Sequence, residues 1–129
     1  MVIDTSALVA ILSDAPERKA FNEAIATDPV RLVSAGTLIE AGLVMEARHG
    51  EIAGRELDLF LHRAGCETVP VDELQAELAR SAARRYGKGR HPAGLNFGDL
   101  FAYALAKATG EKLLFKGRDF DQTDITPAV

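Results

Sequence analysis

The sequence predicts an α/β fold with a parallel sheet covered by helices on both faces. Three observations carry this expectation. Short strand-like runs (Met1–Ile3, Arg31–Val33, Cys66–Val69 and Lys112–Phe115) alternate with longer helix-periodic segments, the pattern of crossovers rather than hairpins. The 129 residues, 47% of them hydrophobic, suit a single domain over residues 1–129 with a proper core. The first apolar run ends on Asp4 and passes straight into a helix. Carboxyl ends of strands in open α/β sheets are where ligands bind.

The elements follow in order. Met1–Ile3 is the first strand, Thr5 or Ser6 can cap the next helix, and Ser13-Asp14-Ala15-Pro16 ends it. A second helix is expected from about Pro16 to Ala26, then the strand Arg31–Val33. Ser34–Thr37 supplies the cap of a third helix reaching about Arg48, which Gly50 stops. Glu51–Ala64 reads as a fourth helix, Cys66–Val69 as a strand and Val71–Tyr86 as a long helix. Tyr86–Leu95 contains Gly87, Gly89, Pro92 and Gly94 and is a loop. Asn96 caps a helix from Phe97 to about Thr109, stopped by Gly110. Lys112–Phe115 is a strand, and Ile125 falls in a last short one.

Composition narrows the function classes. No run approaches the roughly 20 apolar residues of a membrane span. No basic segment precedes an apolar stretch, so a cleaved export signal is not expected. The lone Cys66 cannot form an internal disulfide, which fits a reducing cytoplasm, and its apolar context reads as a buried structural thiol. A net charge of −4 argues against general nucleic-acid binding. Between Leu78 and Gly98, however, there is no acid, while Arg80, Arg84, Arg85, Lys88 and Arg90 cluster beside His91. Such a stretch can steer a polyanion. It also reads as a solvated helix end and loop.

Most of the 19 acids look like solvated helix surface, but four stand apart. Asp4 ends a strand, where it can also serve as a helix cap. Glu40 shares a helix face with Leu43, Val44 and Ala47, so an unpaired carboxylate there is costly. Asp99 lies in the first turn of its helix, complementing the dipole, yet Ala102, Tyr103 and Ala106 on its face turn it inward. Asp119 follows the strand Lys112–Phe115 across Lys116-Gly117-Arg118, where it can also be a turn-former. In a parallel sheet these positions fall along one edge. Four converging carboxylates repel one another and raise their pKa values. A hard divalent cation removes that conflict: Mg²⁺ suits oxygen ligands and retained waters, and Mn²⁺ can replace it. His49, His62 and His91 are scattered, which makes zinc improbable. Carboxylate-bound Mg²⁺ suits phosphoryl chemistry.

The stretches MVIDTSALVAIL, the Glu40 helix, RRYGKGRHPAGLNFGDLFAYALAKATG and LLFKGRDFDQTDI occur in this order over nearly the whole chain. In them the sequence resembles the VapC toxins of bacterial type II toxin–antitoxin systems, which are PIN-domain ribonucleases. The resemblance implies a three-layer α/β/α fold with a central parallel sheet and Mg²⁺-dependent endonuclease action on RNA. The acidic positions of the family fall on Asp4, Glu40, Asp99 and Asp119. Asp4 and Asp99 would be direct metal ligands, with Glu40 and Asp119 completing the cluster directly or through water. Ser6 and Asn96 match polar positions beside the site. Arg84, Arg85, Lys88 and Arg90 are candidate contacts to the RNA backbone. A homodimer and a VapB-like antitoxin partner are also implied. Two competing readings remain at this point. One is a catalytically inactive PIN-like binding module. The other is a phosphoacceptor domain, disfavoured because Ser6 stands where dehalogenase-like phosphatases carry a second acid and because the paired acid of receivers is missing.

Overall fold

The computed structural model describes residues 1–129. Four strands, β1 (Val2–Ile3), β2 (Leu32–Ser34), β3 (Glu67–Val69) and β4 (Leu113–Leu114), form one sheet in the order β3-β2-β1-β4. All three pairings are parallel, with Val2 opposite both Leu32 and Leu113. Six helices connect or cover them: α1 (Thr5–Leu12), α2 (Arg18–Thr27), α3 (Ala35–His49), α4 (Glu51–Arg63), α5 (Glu73–Tyr86) and α6 (Phe97–Thr109).

Successive strand residues point to opposite faces, and this splits the core in two. Ile3 and Leu114 join Ala7, Leu8, Phe21, Ile25 and Leu57 from α1, α2 and α4 on one face. Their neighbours Val2 and Leu113 join Ala82, Tyr86, Ala102 and Leu105 from α5 and α6 on the other. The chain is therefore a three-layer α/β/α structure, as the resemblance implied.

Helix ends follow local chemistry. Ser34 caps α3 by accepting from Gly36 N at 3.2 Å. Asn96 and Asp99 form a capping box at the start of α6. Gly110 ends α6 in the left-handed region, at φ 73°. Gly36 is also required for packing, since a Cβ there would overlap the Phe101 ring of α6.

Four local expectations need correction. Asp4, not Thr5 or Ser6, caps α1. The helix predicted from Pro16 begins at Arg18, because Pro16 and its neighbours form a turn. Ile125 is not in a strand: the last backbone bridge pairs Leu113 with Pro127, and Ile125 is a buried core residue. Cys66 is half-buried rather than fully buried, packed beside the α1–α4 core, and burial raises its thiol pKa.

Candidate active site

The parallel topology brings the carboxyl ends of β1 and β4 together, and Asp4 N donates to Leu114 O at 2.9 Å. Asp4 is 2% exposed. Its Oδ2 accepts from Ser6 N at 3.0 Å and from the Ser6 hydroxyl at 2.6 Å. The same hydroxyl accepts from Lys116 N at 2.9 Å, so Ser6 ties Asp4 to the loop that carries Asp119. Asp4 Oδ1 is buried and has no hydrogen-bond partner. A buried, unpaired carboxylate oxygen is costly and marks a place where a cation is wanted.

Asp99 is 8% exposed. Its Oδ2 accepts from Asn96 N and its own N–H donates to Asn96 Oδ1, each at 3.0 Å. The cap thus aims the second carboxylate. Glu40, on α3, lies against the backbone of α6 at Gly98, where a Cβ would overlap its carboxylate. Asp119 is exposed on the loop after β4. All four acids, with Ser6 and Asn96, line one cavity of about 520 Å³.

Burial and mutual repulsion shift the two inner acids. Desolvation lifts the Asp4 pKa to about 6 against the opposing hydrogen bonds from Ser6, and Glu40 adds to the rise. Desolvation lifts Asp99 to about 7, with Asp4, Asp119 and Glu40 pushing the same way. No three His, Cys, Asp or Glu side chains are arranged to hold a metal ion by themselves. The donor set fits a cation that takes one or two carboxylates and keeps several waters, which is the habit of Mg²⁺.

The expected reason for singling out Glu40 fails, although the residue lies in the cavity. Leu43 is 64% exposed and Ala47 is also exposed, so that face is no buried stripe. The inward face of α3 is Thr37, Ala41 and Met45. Glu40 is held instead by the close approach of Gly98.

The candidate basic residues are not at the cavity. Arg84, Arg85, Lys88 and Arg90 are exposed and none lines it. Arg85 stacks on the Tyr86 ring at 4.8 Å, donates to its hydroxyl at 2.9 Å and lies 4.0 Å from Asp124. Its guanidinium is committed to the fold. Two cations that sequence reasoning missed, Arg48 and Lys116, do line the cavity. Both sit outside the basic stretch, and only the packing of α1 against α3 and β4 reveals them.

Comparison with known proteins places the whole chain in a family. Residues 1–125 match the PIN domain family. The chain is 59% identical to ribonuclease VapC30 of Mycobacterium tuberculosis over 125 residues, covering 97% of this chain and 95% of that protein. It is equally similar to ribonuclease VapC of Mycolicibacterium smegmatis, with 97% of each covered. Among solved structures, the Sarcin-Ricin loop cleaving toxin VapC20 of M. tuberculosis superimposes with a TM-score of 0.78 at 18% identity, over 97% of this chain and 95% of that one. VapBC2 from Rickettsia felis, bound to a DNA fragment from its promoter, gives 0.74 at 16%, over 98% and 94%. These two support the fold. The family match and the near full-length relatives reach further: the chain belongs to the PIN-domain family, among its VapC ribonucleases.

Proposed function

We propose that the chain is a Mg²⁺-dependent endoribonuclease that acts as the toxin of a toxin–antitoxin pair. The observation that carries this reading is the cavity itself. Two buried acids with raised pKa values, one of them with an unpartnered oxygen, share it with Glu40 of α3 and Asp119 of the loop after β4. Names of relatives at 59% identity point to ribonuclease activity.

Asp4 and Asp99 are the residues that would hold the ion. Bound there, Mg²⁺, or Mn²⁺ in its place, supplies Lewis-acid stabilisation of a phosphate and activation of water. Ser6 fixes one oxygen of Asp4 and leaves the other without a partner. Asn96 does the same for Asp99 through one oxygen. Glu40 and Asp119 border the cavity and orient the attacking water. In the reaction a water oxygen forms a bond to phosphorus, one P–O ester bond breaks, and a proton ends on the leaving oxygen. The partner that silences the chain is an antitoxin of the VapB kind.

Incubation of the purified chain with RNA in Mg²⁺, with EDTA as control, tests the reading. Cleavage is expected to require the metal and to be lost in Asp4→Asn and Asp99→Asn, with both variants folded. Cleavage at the wild-type rate by either variant, or undiminished in EDTA, overturns the assignment.

A further inference from the structure

The cavity lining runs from the four acids, by way of Val9, Ala10 and Val44, to Ser13 at the C-terminal end of α1 and Arg48 in the last turn of α3. Glu40, Val44 and Arg48 are spaced four residues apart on α3, so they share a face. At 1.5 Å per residue, Arg48 stands about 12 Å along the helix from Glu40. Helical side chains tilt toward the N-terminus, which turns Arg48 toward the acids. Where α1 ends, Ser13 Oγ lies 3.4 Å from His49 Nε2, tying the two helices together beyond this point.

The two cations of the cavity differ in their commitments. Lys116 Nζ is 3.3 Å from Glu17 Oε2. Arg48 makes no salt bridge and no side-chain hydrogen bond. A polyanion approaching four carboxylates meets repulsion, and a free guanidinium in the same groove offsets it. Guanidinium is the group best matched to phosphate oxygens.

We propose that Arg48 binds a backbone phosphate of the RNA flanking the cleavage point, so that the substrate strand runs along the α1–α3 groove from the acids to Arg48. This rests on the ribonuclease reading. It makes Arg48, rather than the basic stretch Arg84–Arg90, the substrate contact next to the reacting site.

The test is steady-state cleavage of a fluorescence-quenched single-stranded RNA of randomised sequence in Mg²⁺ across a salt series. Wild type, Arg48→Ala, Arg48→Gln and Arg84→Ala are compared, with thermal melts of each. For Arg48→Ala and Arg48→Gln, KM is expected to rise about tenfold with kcat within about twofold. The slope of log(kcat/KM) against log salt should become shallower by about 0.7, the loss of one single-strand phosphate contact. Arg84→Ala should match wild type. A cation that only complements the C-terminal end of α3 would lower Tm and leave KM and slope unchanged, and that result overturns the proposal. If the Arg48 variants cut RNA like wild type but escape silencing by a co-expressed antitoxin, the groove holds that protein instead, and the proposal falls. If wild type itself cuts no RNA in Mg²⁺, the ribonuclease reading fails first, and this one with it.

Discussion

The raised pKa of Asp4 has a consequence for stability that needs no catalysis to measure. The perturbation is Asp4→Asn in the metal-free protein. The carboxyl group titrates near 3.8 in the unfolded chain and at about 6 in the folded one. A raised folded pKa contributes stability that is fully present below pH 3.8 and lost as the pH climbs through about 6. At 1.36 kcal/mol per pH unit, the loss is about 3 kcal/mol. Asparagine carries no charge to desolvate and keeps an oxygen that accepts from Ser6 N and the Ser6 hydroxyl. In EDTA at pH 8, Asp4→Asn should therefore be more stable than wild type by up to about 3 kcal/mol, or about 10 °C in Tm for a domain of this size. At pH 3.5 the two should melt together. The assay is urea or thermal unfolding in EDTA from pH 3.5 to 8, on both proteins. Adding Mg²⁺ at pH 8 should then stabilise wild type and not the variant. A constant difference across the pH range, or a variant less stable at pH 8, would refute the argument that an unpaired buried charge sits at the end of β1.

Further outcomes follow from the contacts around the site. In Gly98→Ala the new methyl overlaps the Glu40 carboxylate, a flexible end that can swing away, so cleavage should fall by more than about tenfold while the fold survives. A wild-type rate in this variant would show that Glu40 need not rest on α6. In Asn96→Ala the Asp99 N–H loses its acceptor, and urea unfolding should report a loss of about 1 kcal/mol. No measurable loss would mean the capping box contributes nothing to α6.

Much of the fold was legible because its signals are local. Four of the six helix starts carry their own side-chain cap, at Asp4, Ser34, Asp72 and Asn96, and three of the four strands are short, mostly apolar runs next to helices. Asp4 and Asp99 were readable for the same reason: one ends a strand, the other is followed by Ala102, Tyr103 and Ala106 on an inward face. Glu40 was found through a faulty premise, since its surroundings are set by Gly98, nearly sixty residues away, and not by its own helix. Asp119 has no local mark beyond following β4, and Ser6 alone links its loop to Asp4. The basic stretch does not line the cavity, because charge along the chain says nothing about which face bears it. Arg85 went to Tyr86 and Asp124, while the cavity cations came from isolated positions at the end of α3 and after β4.

The two-residue strands have a mechanical meaning. Val2 and Leu113 belong to one core, Ile3 and Leu114 to the other, so a ribbon two residues deep is shared by both hydrophobic layers. Neither layer can be pulled away without stripping the other of part of its filling. Asp4 begins where that ribbon ends, and it is anchored to Leu114 by a backbone hydrogen bond. The most buried of the four carboxylates therefore sits at the end of a seam that both cores share, not on a free loop.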